Sequence, residues 1–185
     1  MLEKKIQKGL EDLNFEQVQF EIHFAEKKEY SKDGIDDAEF RISLNQGQQV
    51  KPLTEVASGG ELSRIMLAIK AVMADKDEIE TLIFDEIDVG ISGRTAQKVS
   101  EKMCLIGRKH QVICITHLAQ IAAMADTHYL IEKRVEDQMT KTKIRQLDGE
   151  ESVQELGRIL GGAKITDAVL ENAREMKILA SGLKK

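Results

Sequence analysis

Two short runs, Thr81-Leu82-Ile83-Phe84 and Val112-Ile113-Cys114-Ile115, are apolar without alternation. Runs of this length that show no polar face belong to strands covered on both sides, as in the parallel sheets of α/β folds. Between them Val99, Met103 and Ile106 mark one face of a helix, so residues 81–117 read as a β-α-β unit with parallel strands. Parallel strands end at the same edge. The first run ends in Asp85-Glu86 and the second in Thr116-His117, which puts two carboxylates and an imidazole at the carboxyl edge, where open α/β sheets bind ligands.

Upstream, Ala57-Ser58-Gly59-Gly60-Glu61 opens a helix whose apolar residues Leu62, Ile65, Met66, Ile69, Val72 and Met73 recur at three- and four-residue steps. Ser58 followed three residues later by Glu61 has the form of a capping box, and a plain cap is the simplest reading. The two glycines also leave the first turn without side-chain cover. Because N–H groups at a helix start lack intrahelical partners and sit at the positive end of the dipole, a bare start can receive a phosphate. From Gly59 to Ala74 the helix runs about 22 Å outward at 1.5 Å per residue. The strand back to Glu86 covers about 20 Å at 3.3 Å per residue. Glycines and carboxylates therefore return to one surface, and helix-on-sheet packing is expected to hold them laterally apart.

The flanking segments frame this unit. Leu2, Ile6, Leu10 and Leu13 have the narrow helical spacing of a coiled-coil end or of a short surface helix. Val18, Phe20, Ile22 and Phe24, then Phe40, Ile42 and Leu44, alternate with polar residues as two strands of an antiparallel hairpin joined through a connection containing Gly34. Pro52 lies in the loop that delivers the chain to Ser58. Strands are predicted from Tyr129 to Lys133 and from Lys141 to Leu147, and helices over about 152–160 and 165–180, with Gly161-Gly162 between them.

With 185 residues, 42% of them hydrophobic, the chain can bury the core of one domain. A formal charge of -5 excludes a surface built wholly for nucleic acid. Lys141, Lys143 and Arg145 share a strand face, but three cations are a small footprint for phosphate binding, and a solvated sheet face is the simpler reading. Cys104 and Cys114 sit in apolar segments as buried thiols, without the spacing of a zinc site. No run approaches the roughly 18 apolar residues of a membrane span, and MLEKKIQKGLEDL lacks the core of a signal peptide, so a cytoplasmic protein with no membrane partner is expected.

Two adjacent carboxylates at the end of an apolar strand are costly unless their charge is used. A Mg²⁺ ion is the natural user: Asp85 would hold it directly or through water, and Glu86 would take a proton from an attacking water. The alternative is that both step into a solvated loop. A neutral His117 would suit contact with a phosphate or a reacting water, although a lone strand-end histidine is usually structural. Asp88 and Ser92 lie in the loop 87–92, whose glycine and short polar residues suit a tight, contact-making turn.

Taken in order, these pieces resemble the C-terminal half of an ABC-type ATPase head: signature (57–61), Walker B strand (82–86), D-loop (87–92) and switch histidine (117). The wording VASGGELSRIMLA over 56–68, FDEIDVGISG over 84–93 and THLAQ over 116–120 is similar to SMC-like heads of DNA double-strand-break repair. Transporter ATPases usually carry glutamines after the signature, and an ABC transporter subunit is disfavoured. The resemblance covers roughly residues 1–178 and implies a P-loop NTPase-like α/β head, C-terminal half, with a parallel sheet core, an antiparallel hairpin and C-terminal helices.

It further implies that Ser58, Gly59 and Gly60 bind the γ-phosphate of ATP held by the second head of a homodimer. Asp85 would serve Mg²⁺, Glu86 would activate water, Asp88 would work across the head interface and His117 would sense the γ-phosphate. One part is missing: Walker A, Gly-x-x-x-x-Gly-Lys-Ser/Thr, has no counterpart, since no Gly-Lys dipeptide occurs. Gly161 to Thr166 has the wrong order, follows a helix and reads as an interhelix turn. In such heads Walker A lies in the N-terminal half, before a long coiled coil. The implied partner is that half; residues 1–13 would be the coiled-coil end, or a surface helix, and residues 14–185 the C-terminal half of the head. DNA contact would come through the full-length, nucleoid-associated protein. The chain alone is expected not to hydrolyse ATP and to leave apolar sheet surface bare. The rival reading is a non-catalytic interaction module, or a degraded fragment, that docks on an intact head.

Overall fold

The computed structural model of the chain describes every residue except 16, 57, 58, 77, 137, 138, 163 and 185, and only the backbone of Glu136. It divides into two compact units, Met1–Ile91 with Leu105–Ile115 and Ser92–Cys104 with Thr116–Lys185, where the length points to one domain.

In the first unit α1 (Leu2–Asp12) is amphipathic, and its Ile6 and Leu10 are fully buried. The hairpin β1 (Gln19–Ser31) and β2 (Gly34–Ser43) pairs Phe20 with Ile42 and Ile22 with Phe40. Its base is buried through Phe20 and Ile42, while Phe24 and Tyr30 further out are exposed. Gly34, at φ 96°, makes the turn that a side chain would strain. The short β3 (Lys51–Pro52) pairs with β2 at the edge of this sheet, where a proline costs no ladder bond. A single turn, α2 (Leu53–Val56), leads to α3 (Gly59–Met73). The helix α1 lies on α3 at Gly9, where an added Cβ would be 3.6 Å from that of Ala68, and Glu3 accepts a hydrogen bond from the Ile22 N–H at 2.8 Å. Here α1 is a packed helix of the unit.

The buried face of α3 is rotated from the one its apolar spacing predicts. Leu62 and Met73 are exposed, whereas Gly60, Arg64, Leu67 and Ala68 are buried beside Ile65 and Ile69. Those first four have the spacing i, i+4, i+7, i+8 of one helical face, and an arginine within it hides the face from an apolar count.

Beyond α3 come β4 (Thr81–Phe84), then α4 (Gly93–Gly107), whose Val99, Met103 and Ile106 are buried, then β5 (Gln111–Cys114). The strands β4 and β5 are parallel, with Leu82 opposite Val112 and Phe84 opposite Cys114. Cover on both faces does not hold among the described residues of this unit. Leu82 and Phe84 are buried, but Ile83, Ile113 and Ile115 are 68%, 44% and 50% exposed, because alternate side chains meet opposite faces and only one is covered here. His110 fastens the start of β5 to the end of α3: its Nδ1 lies 2.7 Å from the Ile79 carbonyl and its Nε2 3.1 Å from that of Ala74.

The second unit holds most of α4, through Cys104, with α5 (Ala119–Ala123), the antiparallel pair β6 (Tyr129–Glu136) and β7 (Met139–Gln146), α6 (Gly149–Gly161) and α7 (Asp167–Leu183). Small residues of α5 and α7, Ala119, Ala122, Ala123 and Ala173, pack against Val153 and Leu156 of α6. A reciprocal box between Asp148 and Glu151 starts α6, and Thr166 caps α7. The segment between α6 and α7 is the interhelix turn, with Gly162 at φ 61°. On the hairpin Lys141, Lys143 and Arg145 stand opposite Arg134, Glu132 and Leu130, and Arg145 pairs with Glu151 at 2.6 Å. The face is one of mixed charge. Among the described residues no helix is long and apolar enough to cross a membrane.

Candidate functional site

The site is the turn after β4, seated on the start of α3. Asp85 accepts the Glu86 N–H on Oδ1 at 2.9 Å. Glu86 adopts φ 56°, the left-handed region that costs a non-glycine residue about 1 kcal/mol or more and persists only where neighbours enforce it. The turn's own bonds are modest, from Val89 N–H to the Glu86 carbonyl at 3.1 Å and from Ile91 N–H to that of Asp88 at 3.4 Å. The helix adds three more. Ser63 Oγ donates to the Asp85 carbonyl at 2.9 Å, and Arg64 Nη1 donates to those of Val89 at 2.8 Å and Ile87 at 3.2 Å.

Arg64 is only 7% exposed, and its guanidinium lies 5.7 Å from the centre of the Phe15 ring. Burial lowers its pKa, opposed by the nearby Glu61 charge, and a guanidinium stays charged through such a shift. Neither Ser63 nor Arg64 was singled out from the sequence as a contributor to the site. Their signal was the polar pair inside an otherwise apolar helix face.

The two glycines have a steric reason that needs no ligand. A Cβ on Gly60 would stand 2.9 Å from the Glu86 carbonyl oxygen and 3.0 Å from the Val89 Cβ, and one on Gly59 would run into the Glu86 carboxylate. Sequence geometry expects glycines and carboxylates to be laterally apart; instead they touch, because side-chain-free residues let the helix start rest directly on the turn. The structure thus brings Gly59, Gly60, Asp85, Glu86 and Asp88 together. Ser58 and Ala57 lie outside the described residues. His117 is exposed and stands in the second unit, between Thr116, whose Oγ1 accepts the Leu118 N–H at 3.0 Å, and Leu118 itself.

Asp85 and Glu86 are exposed, and Asp88 is buried. The Cys114 thiol is pushed up to about 12, first by burial and then by the charges of Asp88 and Asp85. It is therefore an inert thiol, and its shift registers the negative field at the end of the strand pair. Both cysteines are free and half-buried, less enclosed than their apolar surroundings suggest. Among the described residues no group of three or more His, Cys, Asp or Glu side chains could hold a metal ion alone. Asp85 commits one oxygen to the Glu86 N–H and has a second for a hydrated cation, which fits Mg²⁺, an ion commonly held by one or two carboxylates with water and phosphate.

The fold defined by these elements is that of an SMC head domain. A solved Smc head with a coiled coil and joint from Pyrococcus yayanosii covers 84% of this chain at TM-score 0.58 and 21% identity, with 28% of that chain matched. A second, from Pyrococcus furiosus and bound to the C-terminal domain of ScpA, covers 86% at TM-score 0.56 and 22% identity, with 37% of that chain matched. At such identities the likeness shows the fold alone. In sequence the chain is similar to the C-terminal segment of the DNA repair protein RecN. Identity to RecN of Halalkalibacterium halodurans is 44% over 187 residues, or 99% of this chain and 33% of that protein. With Bacillus subtilis RecN it is 47% over 146 residues (79% and 25%), and with Vibrio cholerae RecN 41% over 180 residues (97% and 32%). The chain thus spans about a third or less of the length of these relatives. No family model matches it.

Proposed function

We propose that the chain is the C-terminal part of an SMC-like ATPase head acting in DNA double-strand-break repair, and that it supplies signature, Walker B carboxylates and switch histidine to ATP hydrolysis. The observation that carries this is the bare helix start at Gly59-Gly60 resting on Asp85-Glu86, a phosphate-receiving helix end beside a carboxylate pair. The γ-phosphate of ATP would dock on N–H groups of Ser58 to Gly60. Asp85 would hold Mg²⁺, whose charge stabilises the charge developing on the phosphates. Glu86, exposed and oriented by its left-handed backbone, would accept the proton of the attacking water. Asp88 would act across the head interface and His117 would sense the phosphate. The α- and β-phosphates need a Walker A loop, so turnover requires an N-terminal segment, and DNA contact and residence at the nucleoid belong to the full-length protein.

The test joins this chain to an N-terminal segment carrying Walker A and compares Ser58→Arg, which puts bulk and charge at the phosphate site, with Glu86→Gln, which keeps shape and removes the base. Each variant alone is expected to lack turnover. If the signature serves the ATP of the partner head, mixing the two leaves one site with both lesions and the other with neither. Turnover then returns at up to about half the wild-type rate per pair if the sites fire independently. A mixed pair that forms and stays inactive means either that the two sites are strictly coupled or that Ser58 and Glu86 serve the same nucleotide, and ATP-dependent association of the Ser58→Arg protein itself would reject the shared-site role. Absence of hydrolysis and of ATP-dependent association in the wild-type joined protein would reject the ATPase function.

A further inference from the structure

Three backbone carbonyls of the turn, at Asp85, Ile87 and Val89, are held by two neighbouring side chains of α3, Ser63 and Arg64. The turn's own backbone bonds are at 3.1 and 3.4 Å, it carries the left-handed Glu86, and it lies against Gly59 and Gly60. A buried guanidinium between two carbonyls makes charge-assisted hydrogen bonds, each stronger than a neutral one. Burying that charge is costly, so an arginine is an expensive choice for filling space. The helix that begins at the signature glycines and the turn that bears Glu86 and Asp88 are therefore one mechanical piece.

We infer that Arg64, helped by Ser63, is a positioning residue that couples the start of α3 to Glu86, so that a phosphate seating on Gly59-Gly60 fixes the carboxylate in its working place. This regulation rests on the function proposed above. Arg64 touches no reacting atom; it acts through the Ile87 and Val89 carbonyls. A displacement of about 1 Å at a reacting group is enough to cost about a hundredfold in rate, so loosening this turn is read mainly in kcat.

The experiment has two readouts. In the chain alone, amide exchange followed by NMR at Val89 and Ile91 is expected to speed at least about tenfold in Arg64→Met, which keeps an apolar stem beside Phe15. Exchange at Ile115, whose N–H bonds the Phe84 carbonyl on the strand pair, is expected to stay unchanged. In the chain joined to a Walker A segment, the same variant is expected to lose about tenfold or more in kcat with KM for ATP within about twofold. Arg64→Lys, which restores one charged donor, should recover part of the loss. Ser63→Ala should lose a few-fold and covers the case in which Arg64→Met does not fold. Unchanged exchange at Val89 and Ile91, or equal loosening of Ile115, would overturn the inference, as would localised loosening with kcat intact. A wild-type joined protein without turnover would reject the proposed function, while the exchange data would still decide whether Arg64 holds the turn.

Discussion

At the scale of single residues, Gly60 separates two explanations that coincide in its motif. Alanine would gain helix propensity by about 1 kcal/mol. Its Cβ, however, would press on the Glu86 carbonyl at 2.9 Å and the Val89 Cβ at 3.0 Å, and forced overpacking costs about 1–3 kcal/mol. The clash involves backbone, which cannot swing aside, so Gly60→Ala is expected to lower the melting temperature of the chain without any nucleotide. Gly182→Ala, with nothing within 4 Å of the added Cβ, is the control and should raise it slightly. His128 gives a pH dependence. Its Nδ1 lies 2.8 Å from Ser152 Oγ, to which Lys177 Nζ donates at 2.9 Å. Burial and then the Lys177 charge lower its pKa, while Glu155 raises it. A histidine held neutral in the fold contributes stability that is full above its unfolded value of about 6.5 and is lost as pH falls through that value towards the depressed one. Wild type should therefore lose more melting temperature between pH 7.5 and 5 than His128→Gln; equal losses would show that this imidazole is not held neutral. Gly59, Gly60, Asp85 and Glu86, on which the proposed function rests, stand out in the sequence because their types and spacing are chemical. Arg64 was not, because a buried cation is visible only once its carbonyl partners are placed.

At the scale of elements, periodicity located the hairpin, the β-α-β unit and both closing helices, because each has apolar residues at strand or helix spacing. It missed the two-residue β3, the single turn α2 and the five-residue α5, which are too short to carry a period. It also turned α3 by part of a face, counting Leu62 and Met73 as core and omitting Gly60 and Arg64. Local capping was within reach of the sequence, since Asp148 three residues before Glu151 is a reciprocal pair once the helix is started at Gly149. Removing its side-chain half tests whether α6 depends on that box: Asp148→Ala should destabilise the second unit by about 1 kcal/mol, because it leaves the Glu151 N–H without its acceptor, while the backbone N–H at 148 keeps the Glu151 carboxylate. Thermal unfolding followed at a probe in the second unit measures it, and a loss below a few tenths would mean that Arg145, which also holds Glu151, suffices to anchor the helix start.

At the scale of the whole molecule, one face of the β4–β5 pair is expected to govern how the chain behaves in solution. Ile83, Ile113 and Ile115 are exposed side by side on a parallel pair, a strand type that in α/β proteins is covered on both faces. Burying apolar surface is worth about 25 cal/mol per Å², so a contiguous branched aliphatic face is a strong drive towards any surface able to cover it. The chain spans about a third or less of its RecN relatives, and the N-terminal segment of the proposed head is the cover expected in the full-length protein. Without it, the chain is expected to self-associate as concentration rises. Replacing Ile83 and Ile113 with threonine keeps β-branched shape and strand preference while weakening the apolar drive. The double variant should shift light-scattering mass towards the monomer with little change in far-ultraviolet circular dichroism. Supplying a Walker A segment should do the same for the unmodified chain by forming a one-to-one complex, which the threonine variant should form more weakly. A wild-type chain that stays monomeric at high concentration would show that this face needs no partner and would favour the stand-alone interaction module over the head segment.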